Sequence, residues 1–269
     1  MPKILYSNTT ETDRELAEVL KTSKVPAISR AAAILRLLGK NGQPVGVHPL
    51  ARALDIVPST CLHILRALVA EELVAFDPTT KRYTLDAGVL TLARHWLRRN
   101  RFTDIAQPVL NKIADAYDVT VMGMRIVGLD HMIVVALSQA SSSLQLSAEI
   151  GARFPAMVGA TGRCIAAFSE VAPAEIERRF RKLRWDNPPS LERWREDVQE
   201  ARERGYAVDI DNYVAGVTVI SAPVIGLGGQ LDHALVALAI GSTIQKDGVD
   251  TVARALLEGA KRLSHQMKA

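Results

Sequence analysis

Six histidines, two cysteines and one close pair of aspartates are the side chains of this 269-residue sequence that invite covalent or metal chemistry. His48, His63, His95, His131, His233 and His265 never fall four apart from one another or from a cysteine, so helical metal-ligand spacing is absent. Cys61 and Cys164 have no metal-ligand spacing either. Cys164 follows Arg163 behind Thr161-Gly162, where a helix N-terminus could favour a thiolate; a small buried residue sharing a face with Phe168 is the better reading. Asp209 and Asp211 would point the same way on a strand, yet no partner acid or base accompanies them. Gly226-Leu227-Gly228-Gly229 lies between two strand-like runs and reads as a hairpin turn, not a phosphate cradle. No catalytic set, metal or cofactor is expected. What remains is the chemistry of recognition: Ser59, Thr60, His63 and Arg66 within one short helix, with Arg30, Lys81 and Arg82 near it. Hydroxyls and imidazole at base edges, with cations at phosphates, suit double-stranded DNA.

The surrounding elements would position those groups. Leu50 to Leu54 predicts a short bracing helix, Asp55 to Val57 a turn, and Ser59 to Ala70 a second helix. On the second helix Cys61, Ile64, Leu65 and Leu68 make one buried stripe, and Pro58 suits its first turn. Leu73 to Phe76, the turn Asp77 to Thr80, and Lys81 to Leu85 then give strand, turn and strand. Ser29 can cap a preceding helix from Arg30 to Leu38. Together these form a winged helix-turn-helix, which presents its second helix to the major groove and its hairpin to the phosphates. A small α+β core with polar faces is the plainer alternative.

Charge is segregated accordingly. The net charge is +4, but residues 24–101 hold 12 Lys and Arg against 5 Asp and Glu. The rest of the chain is slightly acidic, so the basic excess sits on the segment with the DNA-binding pattern. Two unpaired cysteines suit a reducing compartment. The N-terminus lacks a signal-like apolar run, and Val217 to Ile240 is interrupted by Pro223, glycines and Asp232, so neither secretion nor membrane insertion is expected. A cytoplasmic location follows.

Four segments are expected: an arm at 1–24 with a short helix over 13–21, a winged module at 25–86, a linker helix at 87–101 and a second domain at 102–269. In the linker helix Val89, Leu90, Leu92, Ala93, Trp96 and Leu97 offer more apolar surface than one neighbour needs, which suggests either dimerisation or packing within its own domain. Beyond it a helix at 105–117, strands at 119–127, 131–137 and 144–147, helices at 160–168, 173–182 and 191–204, strands at 217–225 and 234–240, and a helix at 249–267 describe a mostly antiparallel α+β unit. Met157-Val158-Gly159-Ala160-Thr161-Gly162 starts a helix with little side-chain bulk, leaving N–H groups open to an anion. Gly216 to Val219 and Ala239 to Gly241 would bring small residues near it. Tight helix–sheet packing explains the same small residues and is the favoured reading on these residues alone.

The chain from Val25 onward resembles the IclR family of bacterial transcriptional regulators. Ser29-Arg30-Ala31-Ala32-Ala33-Ile34-Leu35-Arg36-Leu37-Leu38 is similar to the family's opening helix, Pro58 to Leu65 to its recognition helix, and Asp77 to Leu85 to its wing. Gly151 to Pro155, Ala160 to Phe168, Arg204 to Asp209, Gly216-Val217 and Ser221 to Val224 are similar to its effector-domain signature. The resemblance implies a GAF-like effector domain, homodimers that can pair into homotetramers, and control of an operator by a small organic acid. It also implies one cavity surrounded by Ala160, Thr161, Asp209, Val217, Val219, Ala239 and Gly241. His63 stands where the family usually has Arg. Ala239 and Gly241 are read as standing where relatives that bind small polar acids carry hydroxyls, which favours a larger, aromatic acid. The competing expectations are an enzyme on the second domain, betrayed by an acid–base or metal cluster, and a constitutive architectural DNA binder, betrayed by the lack of a cavity.

Overall fold

A computed structural model describes residue 20 and residues 23–99, 101–139, 148–240 and 246–268, with the side chains at 41, 97–99, 246 and 247 left aside. The described residues divide into two compact units, meeting in sequence at residue 100. Leu20 is helical, but the rest of the expected 13–21 helix, the strand at 144–147 and Gly241 lie outside the described residues.

The first unit contains α1 (Pro26–Asn41), α2 (Val47–Ala53), α3 (Pro58–Ala70), the antiparallel strands β1 (Val74–Asp77) and β2 (Arg82–Leu85), and α4 (Gly88–Arg99). Helix α1 starts one turn before the expected Arg30 because Pro26 fits its first turn; Val25 occupies the cap position and Ser29 instead shares a hydrogen bond with the Ser23 hydroxyl. Gly42, in the left-handed region at φ 60°, ends it. Ile34, Leu37, Leu50, Leu54, Cys61, Leu65 and Val74 join in one core. Val45 bridges Tyr83, tying the wing to the segment between α1 and α2.

The second unit is a six-stranded antiparallel sheet with helices on both faces. In chain order it has α5 (Arg101–Tyr117), β3 (Thr120–Val127), β4 (His131–Ser138), β5 (Arg153–Pro155), α6 (Gly159–Phe168), α7 (Pro173–Phe180), α8 (Leu191–Arg204), β6 (Ala207–Ile210), β7 (Val217–Ile225), β8 (Leu231–Ile240) and α9 (Lys246–Lys268). The strand order is β5-β4-β3-β8-β7-β6. The short strands β5 and β6 add to the expected set; both are only three or four residues long, too short to show alternation. Helix α8 is capped by Ser190, whose Oγ accepts the Arg193 N–H, and ends at Gly205, φ 84°.

Alternation along β7 and β8 divides the side chains between the two faces. Ile220, Ala222, Leu235, Ala237 and Ala239 pack with Phe102, Leu110, Leu256 and Leu263 of α5 and α9. On the other face α6 crosses β6 and β7, and the Cys164 thiol donates to the Ser221 carbonyl at 3.1 Å. Behind α6, Met157, Ile165, Phe180, Trp194 and Val198 form a second cluster with α7 and α8. This makes α6 a buried layer between sheet and outer helices, which is why every residue from Gly159 to Ala166 is buried.

Candidate functional site

The DNA-facing candidates are held by α3 and the wing. Cys61, Leu65 and Leu68 are buried, so Ser59, His63 and Arg66, at i, i+4 and i+7, emerge as an exposed stripe on the opposite side. Thr60 is half-buried on the flank, and so is Ile64. Burial pushes the Cys61 thiol up to about 11, which leaves it an inert packing group. In the wing, Asp77 accepts hydrogen bonds from the Thr80 hydroxyl at 2.6 Å and the Thr79 N–H at 2.8 Å, an Asx turn that lowers its pKa. Lys81 takes φ 55° at the tip of that turn; it and Arg82 are exposed, and Arg82 also donates to the Pro44 carbonyl at 3.4 Å. Arg30 differs from the others. It is half-buried, and its Nε has no acceptor among the described residues.

The candidate effector site gathers on the α6 face of the sheet. Asp209 of β6 lies opposite Val219 of β7, which lies opposite Leu238 of β8. Ala160, Thr161, Asp209, Val217 and Val219 therefore share one side, all buried. Ala239 does not belong with them. It pairs with Thr218, one residue out of phase, and packs into the core under α5 and α9. The positions of β8 that turn toward α6 are Val236 and Leu238, next to Met122 and Thr120 of β3, and all four are buried. The expectation of free space beside small residues is thus replaced by a wall of bulky apolar ones.

Arg163 organises this face. Its guanidinium is fully buried and donates to Asp197 at 2.9 Å, Asp209 at 3.0 Å and Asn212 at 2.7 Å, with the Trp185 ring 5.9 Å away. Asp209 accepts the Tyr213 N–H at 3.1 Å on its other oxygen. Burial pushes the Asp209 carboxyl upward, against the opposing pull of Arg163 and the Tyr213 N–H. Asp209 is therefore a partnered frame residue and not a free carboxylate awaiting a ligand hydroxyl. Asp211 has left the strand at φ 63° and accepts the Gly216 N–H at 2.8 Å, so the two aspartates do not face the same way as an acid–base pair.

The backbone of α6 requires its glycines. Gly159 takes φ 57°, and a Cβ there would lie 3.4 Å from Asp209 Oδ2; a Cβ on Gly162 would lie 1.9 Å from the Met157 carbonyl oxygen. No side chain caps the helix, and its first regular bond is Gly162 N–H to the Val158 carbonyl. The N–H groups of Gly159, Ala160 and Thr161 precede it, at the positive end of the helix dipole. Cys164 is wholly buried and its thiol is pushed up to about 12, so it is no thiolate nucleophile. Among the described residues no group of three His, Cys, Asp or Glu is arranged to hold a metal. Nor is any single helix among them long and apolar enough to cross a membrane.

Comparison with known proteins decides the family. A model of the bacterial transcriptional regulator IclR C-terminal domain matches residues 94–265, and one of the IclR helix-turn-helix domain matches residues 27–78. The chain belongs to the IclR family. The glycerol operon regulatory protein of Streptomyces griseus is 30% identical to this IclR regulator over 205 residues, 74% of this chain and 79% of that protein. The HTH-type transcriptional repressor AllR of Escherichia coli strain K12 is 22% identical over 211 residues, 77% and 78% of the two chains. Among solved structures, an IclR transcriptional regulator from Alicyclobacillus acidocaldarius superposes with a TM-score of 0.79 at 26% identity, covering 92% of this chain and all of that one. An IclR homologue from Microbacterium hydrocarbonoxydans, complexed with 4-hydroxybenzoate, shares the fold with a TM-score of 0.73 at 14% identity, covering 90% and 99%. This IclR protein is accordingly a transcriptional regulator with a DNA-binding helix-turn-helix unit and an effector domain.

Proposed function

We propose that this regulator binds a pseudo-palindromic operator as a dimer or tetramer in the cytoplasm, with no catalytic activity, and that a small organic acid with an apolar, preferably aromatic body controls it. The observation that carries the ligand reading is the α6 face. Uncapped N–H groups at Ala160 and Thr161 are suited to a carboxylate, and Thr161 can add a hydroxyl. Beside them Val217, Val219, Val236 and Leu238 offer only hydrocarbon to the rest of the molecule. Because Arg163 offsets Asp209, the site carries no uncompensated negative charge to repel an acid. The structural neighbour complexed with 4-hydroxybenzoate supports the same ligand class.

On the DNA side, Ser59, Thr60, His63 and Arg66 address the major groove, while Lys81, Arg82 and Arg30 serve the phosphates. Fluorescence anisotropy on the promoter fragment beside the protein's own gene tests both halves. Lys81→Ala with Arg82→Ala should weaken binding to every duplex and flatten the dependence of affinity on salt by about two phosphate contacts. Benzoate or 4-hydroxybenzoate should shift operator affinity more than pyruvate does. Unchanged binding by the wing variant defeats the DNA assignment; indifference to all three acids defeats the ligand assignment.

A further inference from the structure

A concavity lies at the far end of α6, outside the face just described. Strand β6 pairs with β7 only as far as Ser221, so Ala222 to Ile225 form an edge of the sheet. A cleft of about 400 Å³ opens there, within the range of small-molecule sites. Phe168, Pro223, Ile225 and Leu257 supply its apolar surface. Lys261, His265 and Lys268 rise along one face of α9 at i, i+4 and i+7 and border it, all three exposed. Among the described residues no carboxylate lines the cleft.

The edge is unsuited to an added strand. Pro223 has no N–H, and the Ile225 N–H is already accepted by Ser264 Oγ at 2.9 Å, which itself donates to the Ala260 carbonyl. Recognition here must therefore use side chains: hydrocarbon below and cations above. We propose that this cleft binds a small amphipathic carboxylic acid, its chain or ring against Phe168, Pro223, Ile225 and Leu257 and its carboxylate between Lys261 and Lys268. Eight helical steps, about 12 Å along the axis of α6, separate Phe168 from Ala160, so the site is distinct from the α6 N-terminus. It stands whether or not that N-terminus receives an effector.

Methyl NMR of the full chain, labelled at Ile, Leu, Val and Ala and titrated with octanoate, tests this. The Ile225 and Leu257 methyls should shift saturably. Octanol, which keeps the chain and loses the charge, should bind about tenfold more weakly. Lys261→Gln with Lys268→Gln, both at exposed positions, should reduce octanoate to about the octanol level while leaving thermal unfolding nearly unchanged. Shifts confined to Ala160, Val217 and Val219, no saturable shift, or equal octanoate binding by the double variant would each overturn the proposal.

Discussion

At the scale of single residues, Arg163 is the side chain on which the effector unit depends most. It joins α6 to α8 through Asp197, to β6 through Asp209 and to the following turn through Asn212. Arg163→Met would fill much of the same volume but leave Asp209 buried without its counter-charge. A loss of about 3–5 kcal/mol in denaturant unfolding is expected, because a broken buried pair costs more than an absent one. His233 sets a different dependence. It stacks on Phe102 with centroids 4.1 Å apart, neither ring nitrogen has a partner among the described residues, and burial with the nearby Arg125 charge lowers its pKa to about 4. The unfolded chain therefore binds the proton more readily, starting from the ordinary 6.5. Stability from this group is complete above about pH 6.5 and falls as pH drops toward 4, with a slope of up to about 1.4 kcal/mol per pH unit. His233→Phe should remove that slope in urea titrations between pH 4 and 7; an unaltered slope would assign it to other groups.

At the scale of elements, the register of β8 decides which side chains belong to the effector face. Because Ala239 packs under α5 and α9, Ala239→Leu should overpack the core and lower stability by about 1–3 kcal/mol. Leu238→Ser, on the opposite face, should instead shift ligand preference toward shorter and more polar acids in the anisotropy assay. If Ala239→Leu leaves stability intact and abolishes the response to acid, the register is wrong. This is also where sequence reading runs out. Alternation within β7 and β8 is visible in one sequence, and the helix–turn–helix–wing order was legible in full because its contacts are local. Which half of β8 turns toward α6 depends on β8 lying between β3 and β7, a pairing between segments far apart in the chain. Asp209 drew notice in the sequence as a lone acid on a strand, but its part in the frame did not, since its partner Arg163 is 46 positions away. The one available sign was an arginine set among the small residues that open α6.

At the scale of the whole molecule, α4 leaves Leu92 and Trp96, one turn apart on one face, exposed within its own unit, at 69% and 43%. Its start is fixed by Gly88, whose N–H donates to the Glu72 carbonyl and where a Cβ would lie 2.3 Å from that oxygen. An apolar face held so firmly and left uncovered fits a two-fold partner that would present two copies of α3 to successive turns of DNA. Leu92→Asp with Trp96→Asp should lower the sedimentation coefficient to that of a monomer at micromolar concentration; a wild-type protein already monomeric there would remove the premise.

The pairing at the centre of the sheet also sets the order in which this protein can be made. Thr120 of β3 finds its partner in Leu238 of β8, so the middle of the sheet closes only when the last strand has left the ribosome. The winged unit is complete in sequence long before that and relies on nearby contacts. At about 5–20 residues per second, the 118 positions from one partner to the other take on the order of 6–24 seconds to synthesise. Through most of that interval the nascent chain carries the makings of a DNA-binding unit and an effector unit whose β3 has β4 beside it but not yet β8. The winged unit can thus complete its fold before the effector sheet can close, and a chain cut short before β8 would hold the first without the second.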